Sequence, residues 1–443
     1  MLKKNMEEKN KKAKIFNIRG MNDILPDESP IWEVFENTIF SVLNCYGYKR
    51  IRTPIIEHTK LFKRSLGEIT DIVEKEMYTF VDRLNGDDLT LRPESTAGIV
   101  RSVIQHNLAY EGPKRLFYYG PMFRHERPQR GRFRQFYQVG AEAVGFLGPD
   151  IDVELILLCR RLWEDLGLND IKLELNTIGD LKERNQYKNC LIDFFKKYFN
   201  DLDDDSKKRL ESNPLRILDS KNAKMSEIIR EAPSMNDFLG SDSIDHFEKL
   251  KNLLNENNVN YKINTKLVRG LDYYNRTVFE WISHQSGSDI TICGGGRYDT
   301  LFEICGGMST PAVGFALGVE RLIELIKTTE NNFFVNNCDV YISHNGENAL
   351  NKAFNIGERL RDMGLVVEIF CGSYKSTGSF KTQIRQADIS GALCALIIGE
   401  DEIKNNYATI KYLRENNFQE KQIKVPFDKI FDHMIDFFAL ENE

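Results

Sequence analysis

The chain has 443 residues, 41% of them hydrophobic and 28% charged, with a formal net charge of −6. That length is about three typical domains, and the composition suits a globular protein with ample core. No run approaches the ~20 apolar residues of a membrane span. The leader Met1–Lys14 lacks the apolar segment of a secretory signal and reads as a disordered, solvated, basic extension. The eight scattered cysteines form no C-x-x-C pair and no zinc-ligand spacing, which fits a reducing cytoplasm rather than a disulfide framework.

Ser29–Tyr46 opens on a Ser-Pro start, repeats Trp32, Phe35, Ile39, Val42, Leu43 and Tyr46 at helical spacing, and stops at Gly47. Tyr48–Thr53 then reads as a strand ending at Pro54. Strand-like runs follow at Met77–Asp82, Leu89–Arg92, Leu116–Gly120, Gln135–Val144, Lys172–Asn176, Thr277–Ile282 and Asp289–Ile292. They are joined by turns such as Asn85-Gly86 more than by regular crossover helices. The expectation is an α+β domain on an antiparallel sheet flanked by helices, spanning 15–326. Within it, 181–260 is Lys-, Asn- and Asp-rich, helical in period and without strong strands, so it reads as a helical insertion. Residues 327–337 are polar and read as a linker. From 338 to 443 strands and helices alternate: strands at Asp339–Ser343, Val366–Phe370, Cys394–Ile398 and Thr409–Leu413, helices at Ala349–Met363 and Phe380–Asp388, and a terminal helix. That is a separate small α/β domain.

The densest chemistry lies in Phe117–Gly145, F-Y-Y-G-P-M-F-R-H-E-R-P-Q-R-G-R-F-R-Q-F-Y-Q-V-G-A-E-A-V-G. Arg124, Arg127, Arg130, Arg132 and Arg134 crowd one short loop between two strands. Guanidiniums stay charged and present a fork of donors, so such density suits a polyphosphate, although a solvated basic hairpin has the same pattern. Glu126 and Phe136 could bond to and stack on a nucleobase. Gln138 and Glu142 lie four apart and so share one strand face. Cys293–Asp299, C-G-G-G-R-Y-D, reads as a glycine-rich turn where backbone approaches a ligand. In Gly314–Leu322, Phe315, Val319, Leu322 and Ile323 just beyond it have the spacing of a core helix. Gly372–Ser379 lacks the G-K-[ST] of a phosphate loop, and Lys224-Met225-Ser226 lacks the rest of the class I synthetase signature.

The run F-R-H-E-R-P-Q-R-G-R-F-R-Q-F resembles motif 2 of class II aminoacyl-tRNA synthetases, in the form carried by the bacterial-type histidyl-tRNA synthetase family. Gly47–Glu57 resembles motif 1, the dimer-interface segment, and Gly314–Leu322 resembles motif 3. L-V-R-G-L-D-Y-Y-N-R-T-V-F-E at Leu267–Glu280 and the C-G-G-G-R-Y-D run resemble the histidine-specific signatures. The resemblance implies a cytoplasmic, homodimeric histidine–tRNA ligase. Its partners are L-histidine, ATP with Mg²⁺ and tRNA(His), and it has no zinc and no organic cofactor. It implies that Glu94, Ser95, Thr96, Arg124, Gln138, Glu142, Arg269, Tyr273 and Tyr274 bind histidine, with Ser95 standing where many members have glycine. Glu142 and the Tyr274 hydroxyl would meet the imidazole. Arg124, Glu126, Arg132, Phe136 and Arg321 would bind ATP, and Arg124 and Arg269 would be catalytic. Arg127, Gln129 and Arg134 would lie near the tRNA acceptor end. N-P-L-R-I-L-D-S-K at Asn213–Lys221 would place the insertion on the acceptor arm. A-D-I-S-G-A at Ala387–Ala392 and G-E-D-E at Gly399–Glu402 resemble the anticodon-binding domain. The alternative is the regulatory subunit of ATP phosphoribosyltransferase, which shares the catalytic fold but erodes these arginines and typically lacks the C-terminal domain.

Overall fold

Gln138, Gly140 and Glu142 alternate with Val139, Ala141 and Ala143, which makes Gln135–Val144 a two-faced strand. In the computed structural model this strand lies inside an eight-stranded sheet. Residues 14–67, 70, 72–220, 222–284, 289–328, 338–372, 379–414 and 421–440 are described. The leader 1–13, residues 329–337 of the expected linker and residues 373–378 of the 372–379 loop lie outside them.

The sheet runs in the order Lys49–Arg50, Lys114–Phe123, Gln135–Val144, Ala312–Gly318, Ile290–Arg297, Asn275–Ser283, Ile171–Thr177 and Tyr261–Ile263. Only the two edge strands pair in parallel; the six inner strands are antiparallel. One face is apolar. Helices Ser29–Cys45, Asp150–Asp165 and Val319–Ile326 pack together there and against the sheet, with Trp32 edge-on to Tyr137 at 5.4 Å. Ser29–Cys45 buries Trp32, Phe35, Ile39, Val42 and Leu43. Gly47 ends that segment at φ +77°, a conformation an L side chain rarely adopts.

Four expectations differ from the structure. Tyr48–Thr53 pairs only over Lys49–Arg50, because the chain turns away towards Pro54. Met77–Asp82 and Leu89–Arg92 leave the large sheet and form a three-stranded sheet with Ile56–His58, in the order Ile56–His58, Asp88–Leu91, Tyr78–Val81. Gly314–Leu322 is neither all helix nor all strand: Ala312–Gly318 is a central strand and the helix begins at Val319. The Cys293–Asp299 glycines are not a turn but the middle of the strand Ile290–Arg297.

The segment 181–260 is helical. It starts at Leu181–Lys197, capped reciprocally by Asp180 and Glu183 at 2.8 and 2.7 Å. Glu183 also accepts from Gly240 N at 2.7 Å and Ser243 Oγ at 2.6 Å, tying in the later helix Ser241–Glu256. Tyr187, Leu191 and Phe195 share one apolar core with Leu267, Val268 and Tyr273, so the insertion and the large sheet form a continuous core.

The chain divides into two compact units, 1–332 and 333–443. The second holds a five-stranded sheet in the order Val367–Ile369, Val340–His344, Cys394–Ile398, Tyr407–Tyr412 and Gln422–Pro426. The first three of these are parallel, and the last two are antiparallel. Glu347–Asp362, Phe380–Ile389 and Ile430–Leu440 are its longer helices.

Gly295 shows why the large sheet carries glycine. A Cβ there would overlap the Gly314 carbonyl oxygen and the Phe279 ring, and backbone in a neighbouring strand cannot step aside. Gly295→Ala should therefore destabilise the first unit by about 3 kcal/mol, read as a fall of several degrees in thermal midpoint.

Candidate active site

The polar face of the sheet is a floor from which side chains have been removed. A Cβ at Gly140 would overlap the Tyr118 ring, one at Gly294 the Arg269 guanidinium, and one at Gly314 the Glu142 carboxylate. A Cβ at Gly296 would strike the Thr277 carbonyl at 2.5 Å and the Tyr274 ring at 2.9 Å. Tyr118, Glu142, Arg269 and Tyr274 can thus lie along the sheet only because their cross-strand neighbours are glycine.

One end of this floor is a lined acidic pocket. Arg92 donates to the Pro121 carbonyl at 2.9 Å and the Thr53 carbonyl at 3.1 Å, which fixes the L-R-P-E segment. Glu94 is buried and accepts from the backbone N–H groups of Thr96 (2.6 Å) and Ala97 (3.0 Å), at the N-terminus of helix Thr96–Gln105. Burial raises its carboxyl above the usual range, while those N–H groups and Arg124 pull it down. The Ser95 hydroxyl beside it is buried without a hydrogen-bond partner among the described residues.

Thr96 Oγ1 donates at 2.7 Å to Glu142, whose other oxygen accepts from the Tyr298 hydroxyl. Burial lifts the Glu142 carboxyl to about 8 against the pull of those two hydroxyls. Tyr118 donates to Gln138 at 3.0 Å. Tyr273, Tyr274 and Tyr298 form an aromatic wall, with ring centroids 4.6 Å apart for Tyr273–Tyr274 and 5.5 Å for Tyr273–Tyr298.

Cations occupy the rest of the floor. Arg269 pairs with Glu280, which also accepts from Thr291 Oγ1 at 2.9 Å, and its guanidinium carbon lies 5.9 Å from the Tyr274 ring centre. Its Nε is buried without a partner among the described residues. Arg124 donates Nε to the Pro93 carbonyl at 2.9 Å and lies 5.3 Å from the centre of the Phe136 ring. Arg321 is held by the Thr291 carbonyl at 2.5 Å and the Gly131 carbonyl at 3.4 Å. Burial lowers its pKa, and Arg132 and Arg124 lower it further. Arg132 reaches Glu126 at 3.7 Å. Three guanidiniums sharing so little carboxylate form an unbalanced positive site, which favours an anionic occupant.

The structure therefore brings together Glu94, Ser95, Thr96, Gln138, Glu142, Arg269, Tyr273 and Tyr274 on one side, and Arg124, Glu126, Arg132, Phe136 and Arg321 on the other. Arg127 and Gln129 are exposed in the tight hairpin closed by the Gln129–Arg132 bridge. Arg134 turns to the Glu126 carbonyl at 3.3 Å, and its own N–H bonds the Gly20 carbonyl at 2.7 Å. Two residues of this region escaped the sequence reading. Tyr298 sits inside the C-G-G-G-R-Y-D run and supplies the donor to Glu142. Glu320, whose carboxylate accepts from Tyr137 N at 2.8 Å, is raised by burial to about 7. Arg297 of the same run is buried, binds Asp152 and the Phe146 carbonyl at 2.9 Å, and props the sheet from within.

Comparison with known proteins sets this geometry in context. A family model described as Histidyl-tRNA synthetase matches residues 20–322, and one described as Anticodon binding domain matches 339–436. A histidine–tRNA ligase of Paraburkholderia xenovorans is 53% identical over 432 residues, 97% of each chain. One of Cupriavidus pinatubonensis is 53% identical over 434 residues, 97% of this chain and 95% of the other. Among solved structures, an apo histidyl-tRNA synthetase of S. aureus superposes with a TM-score of 0.78 at 33% identity, covering 95% of this chain and 99% of the other. A Bacillus halodurans structure titled as an ATP phosphoribosyltransferase regulatory subunit/histidyl-tRNA synthetase reaches 0.63 at 21% identity over 88% of this chain and 99% of the other, a likeness of fold alone.

Proposed function

The chain belongs to the histidyl-tRNA synthetase family, and on that premise we propose how its residues divide the work of joining L-histidine to tRNA(His) with ATP. Histidine enters the acidic pocket with its ammonium against Glu94 and Thr96 and its imidazole against Glu142, walled by Tyr273, Tyr274 and Gln138. ATP would enter with Mg²⁺, whose charge would offset that of the phosphates; the nearby carboxylates Glu126 and Glu280 face Arg132 and Arg269. Adenine stacks on Phe136 beside Glu126, and Arg132 and Arg321 take the β- and γ-phosphates.

The reaction sets two anions against each other. A carboxylate oxygen of histidine attacks the α-phosphorus, and the bond to the pyrophosphate oxygen breaks. Arg124 and Arg269, on either side of the reacting groups, offset the repulsion and stabilise the charge of the transition state. No base is needed, because a carboxylate is already a nucleophile at neutral pH. The terminal ribose hydroxyl of the tRNA then attacks the carbonyl carbon and AMP leaves. Arg127, Gln129 and Arg134 of the hairpin approach the acceptor end, the helical insertion reaches its arm, and the second unit reads the anticodon. Exposed Ile55, Ile56, Phe80 and Val81, in and beside the small sheet, give a second copy of the chain an apolar docking face. We place the reaction in the cytoplasm, a reducing compartment that suits eight free cysteines.

The observation that carries this reading is the adjacency of a buried Glu142 pocket and an unbalanced arginine cluster on one glycine floor. ATP–pyrophosphate exchange measured with each of the twenty amino acids tests it. Histidine alone should support exchange, from a species sedimenting at twice the chain mass. Exchange driven equally by another amino acid would overturn the pocket assignment.

A further inference from the structure

The loop carrying Tyr273 and Tyr274 is tied to the sheet it borders at its two ends and through the Arg269–Glu280 pair. Its entrance is fixed where Asn176 Nδ2 donates to the Leu267 carbonyl at 2.9 Å, and its exit where Asn275 and Asp299 exchange bonds at 2.8 Å. Between those points its main chain is met from the helical insertion. Arg184, on the first insertion helix, donates Nη1 to the Asp272 carbonyl at 2.9 Å and also to the Tyr274 carbonyl, so one guanidinium spans the peptides on either side of the Tyr273–Tyr274 pair. Asn213 Nδ2 bonds the Asp272 carboxylate. Burial raises that carboxyl above the usual range, and Arg184, Lys188 and Arg216, all from the insertion, pull it only part of the way back. Thus Asp272 faces the insertion while its neighbours Tyr273 and Tyr274 are buried in the aromatic wall.

Helix Leu181–Lys197 is well placed to act as an anchor. Its first turn is locked by the Asp180–Glu183 cap, and Ile178 and Gly179, which lead into it, exchange backbone bonds with Arg276 at 2.8 and 2.6 Å. Arg184 follows the cap residue by four positions, so it issues from the stiffest part of the helix.

We propose that Arg184 is a positioning residue for the amino-acid pocket. By holding the carbonyls of Asp272 and Tyr274 it sets where the Tyr273 and Tyr274 rings stand, and the insertion thereby determines affinity for the free amino acid before any RNA is bound. This rests on the assignment of Tyr273 and Tyr274 to the histidine pocket. The insertion is then part of the activation machinery as well as an appendage for RNA.

The test is steady-state ATP–pyrophosphate exchange without tRNA on the full chain, comparing Arg184→Gln, Arg184→Lys, Asp272→Asn and Tyr274→Phe, with thermal midpoints measured alongside. Arg184→Gln should raise the KM for histidine about 10-fold while the KM for ATP changes less than about 2-fold. Arg184→Lys, which keeps a charged donor near the carbonyls, should recover part of that loss. Asp272→Asn, which leaves the main-chain bonds in place, should change histidine KM by less than about 3-fold. An unchanged histidine KM in Arg184→Gln, or histidine and ATP constants rising together with a collapsed thermal midpoint in both Arg184 variants, would overturn the positioning role. If Tyr274→Phe leaves histidine KM unaltered, the pocket assignment itself fails. If Tyr274→Phe raises it and Arg184→Gln does not, only the positioning role fails.

Discussion

Replacing Arg269 with glutamine is expected to lower histidine-dependent ATP–pyrophosphate exchange about 10³-fold. The side chain lies flat on the sheet because position 294 is glycine, and its Nε has no partner among the described residues. Burial alone would lower its pKa, but Glu280 carries it above the ordinary arginine value, so the charge is permanent. In the proposed reaction it faces the carboxylate and the α-phosphate while negative charge gathers between them. Glutamine keeps two donors on a shorter side chain and loses the charge. The variant also leaves Glu280 without its cation, a penalty of about 1–3 kcal/mol for a buried acceptor, so a fall in thermal midpoint is expected too. Arg269→Gln/Glu280→Gln separates the two effects. The double variant should regain most of the midpoint and none of the exchange, whereas restored exchange would assign Arg269 a purely structural role.

Glu142→Gln is expected to lower kcat/KM for histidine by roughly 10²–10³-fold with little change in the KM for ATP. The reason is that a pocket built on a specific hydrogen bond penalises its loss heavily. In the free protein the Glu142 carboxyl holds its proton to about 8 because it is buried. A free imidazole titrates near pH ~6.5, so in the proposed pocket the carboxyl can donate to a neutral imidazole. Glutamine can donate but cannot give a proton up. Stability should show the same group. Its folded pKa lies above the ordinary 4.5, so its contribution is fully present below pH 4.5 and is lost as pH rises to about 8. Glu320, raised to about 7, acts in the same direction, which is why the difference between parent and variant matters rather than either curve. The thermal midpoint of the parent should fall between pH 5 and 8.5 more steeply than that of Glu142→Gln. Parallel curves would mean that Glu142 is ionised in the free protein.

Much of this site was legible because its chemistry is local in sequence. The arginines of Phe117–Gly145 sit in one hairpin, and the strand expected at Gln135–Val144 is the strand observed. The second unit read well as far as Tyr407–Tyr412, where short β-rich runs alternate with helices, but its last strand, Gln422–Pro426, was not expected. What stayed hidden depends on pairing between distant segments. Met77–Asp82 looks no different from a strand of the large sheet, yet it pairs with Asp88–Leu91 and through it with Ile56–His58. Cys293–Asp299 read as a turn because glycine carries no hydrophobic period. Its place in a central strand follows only from Arg269 and Tyr274 folding over it. Tyr298 was quoted within a motif, but its role appears only when Glu142, 156 positions away, comes within bonding distance. Helices Thr96–Gln105 and Asp150–Asp165 went unassigned because their apolar faces follow directly on loop-like Pro- and Gly-containing segments.

The central claim is spatial: one glycine-paved sheet face holds an imidazole beside Glu142 and a nucleotide under the Arg124, Arg132 and Arg321 guanidiniums, with Arg269 between. A crystal structure with histidine and a non-hydrolysable ATP analogue measures it directly. The account predicts an imidazole nitrogen within hydrogen-bond distance of the Glu142 carboxyl and Arg269 contacting both the histidine carboxylate and the α-phosphate. Histidine bound elsewhere, or Arg269 still engaged only with Glu280 while both ligands are in place, would contradict it.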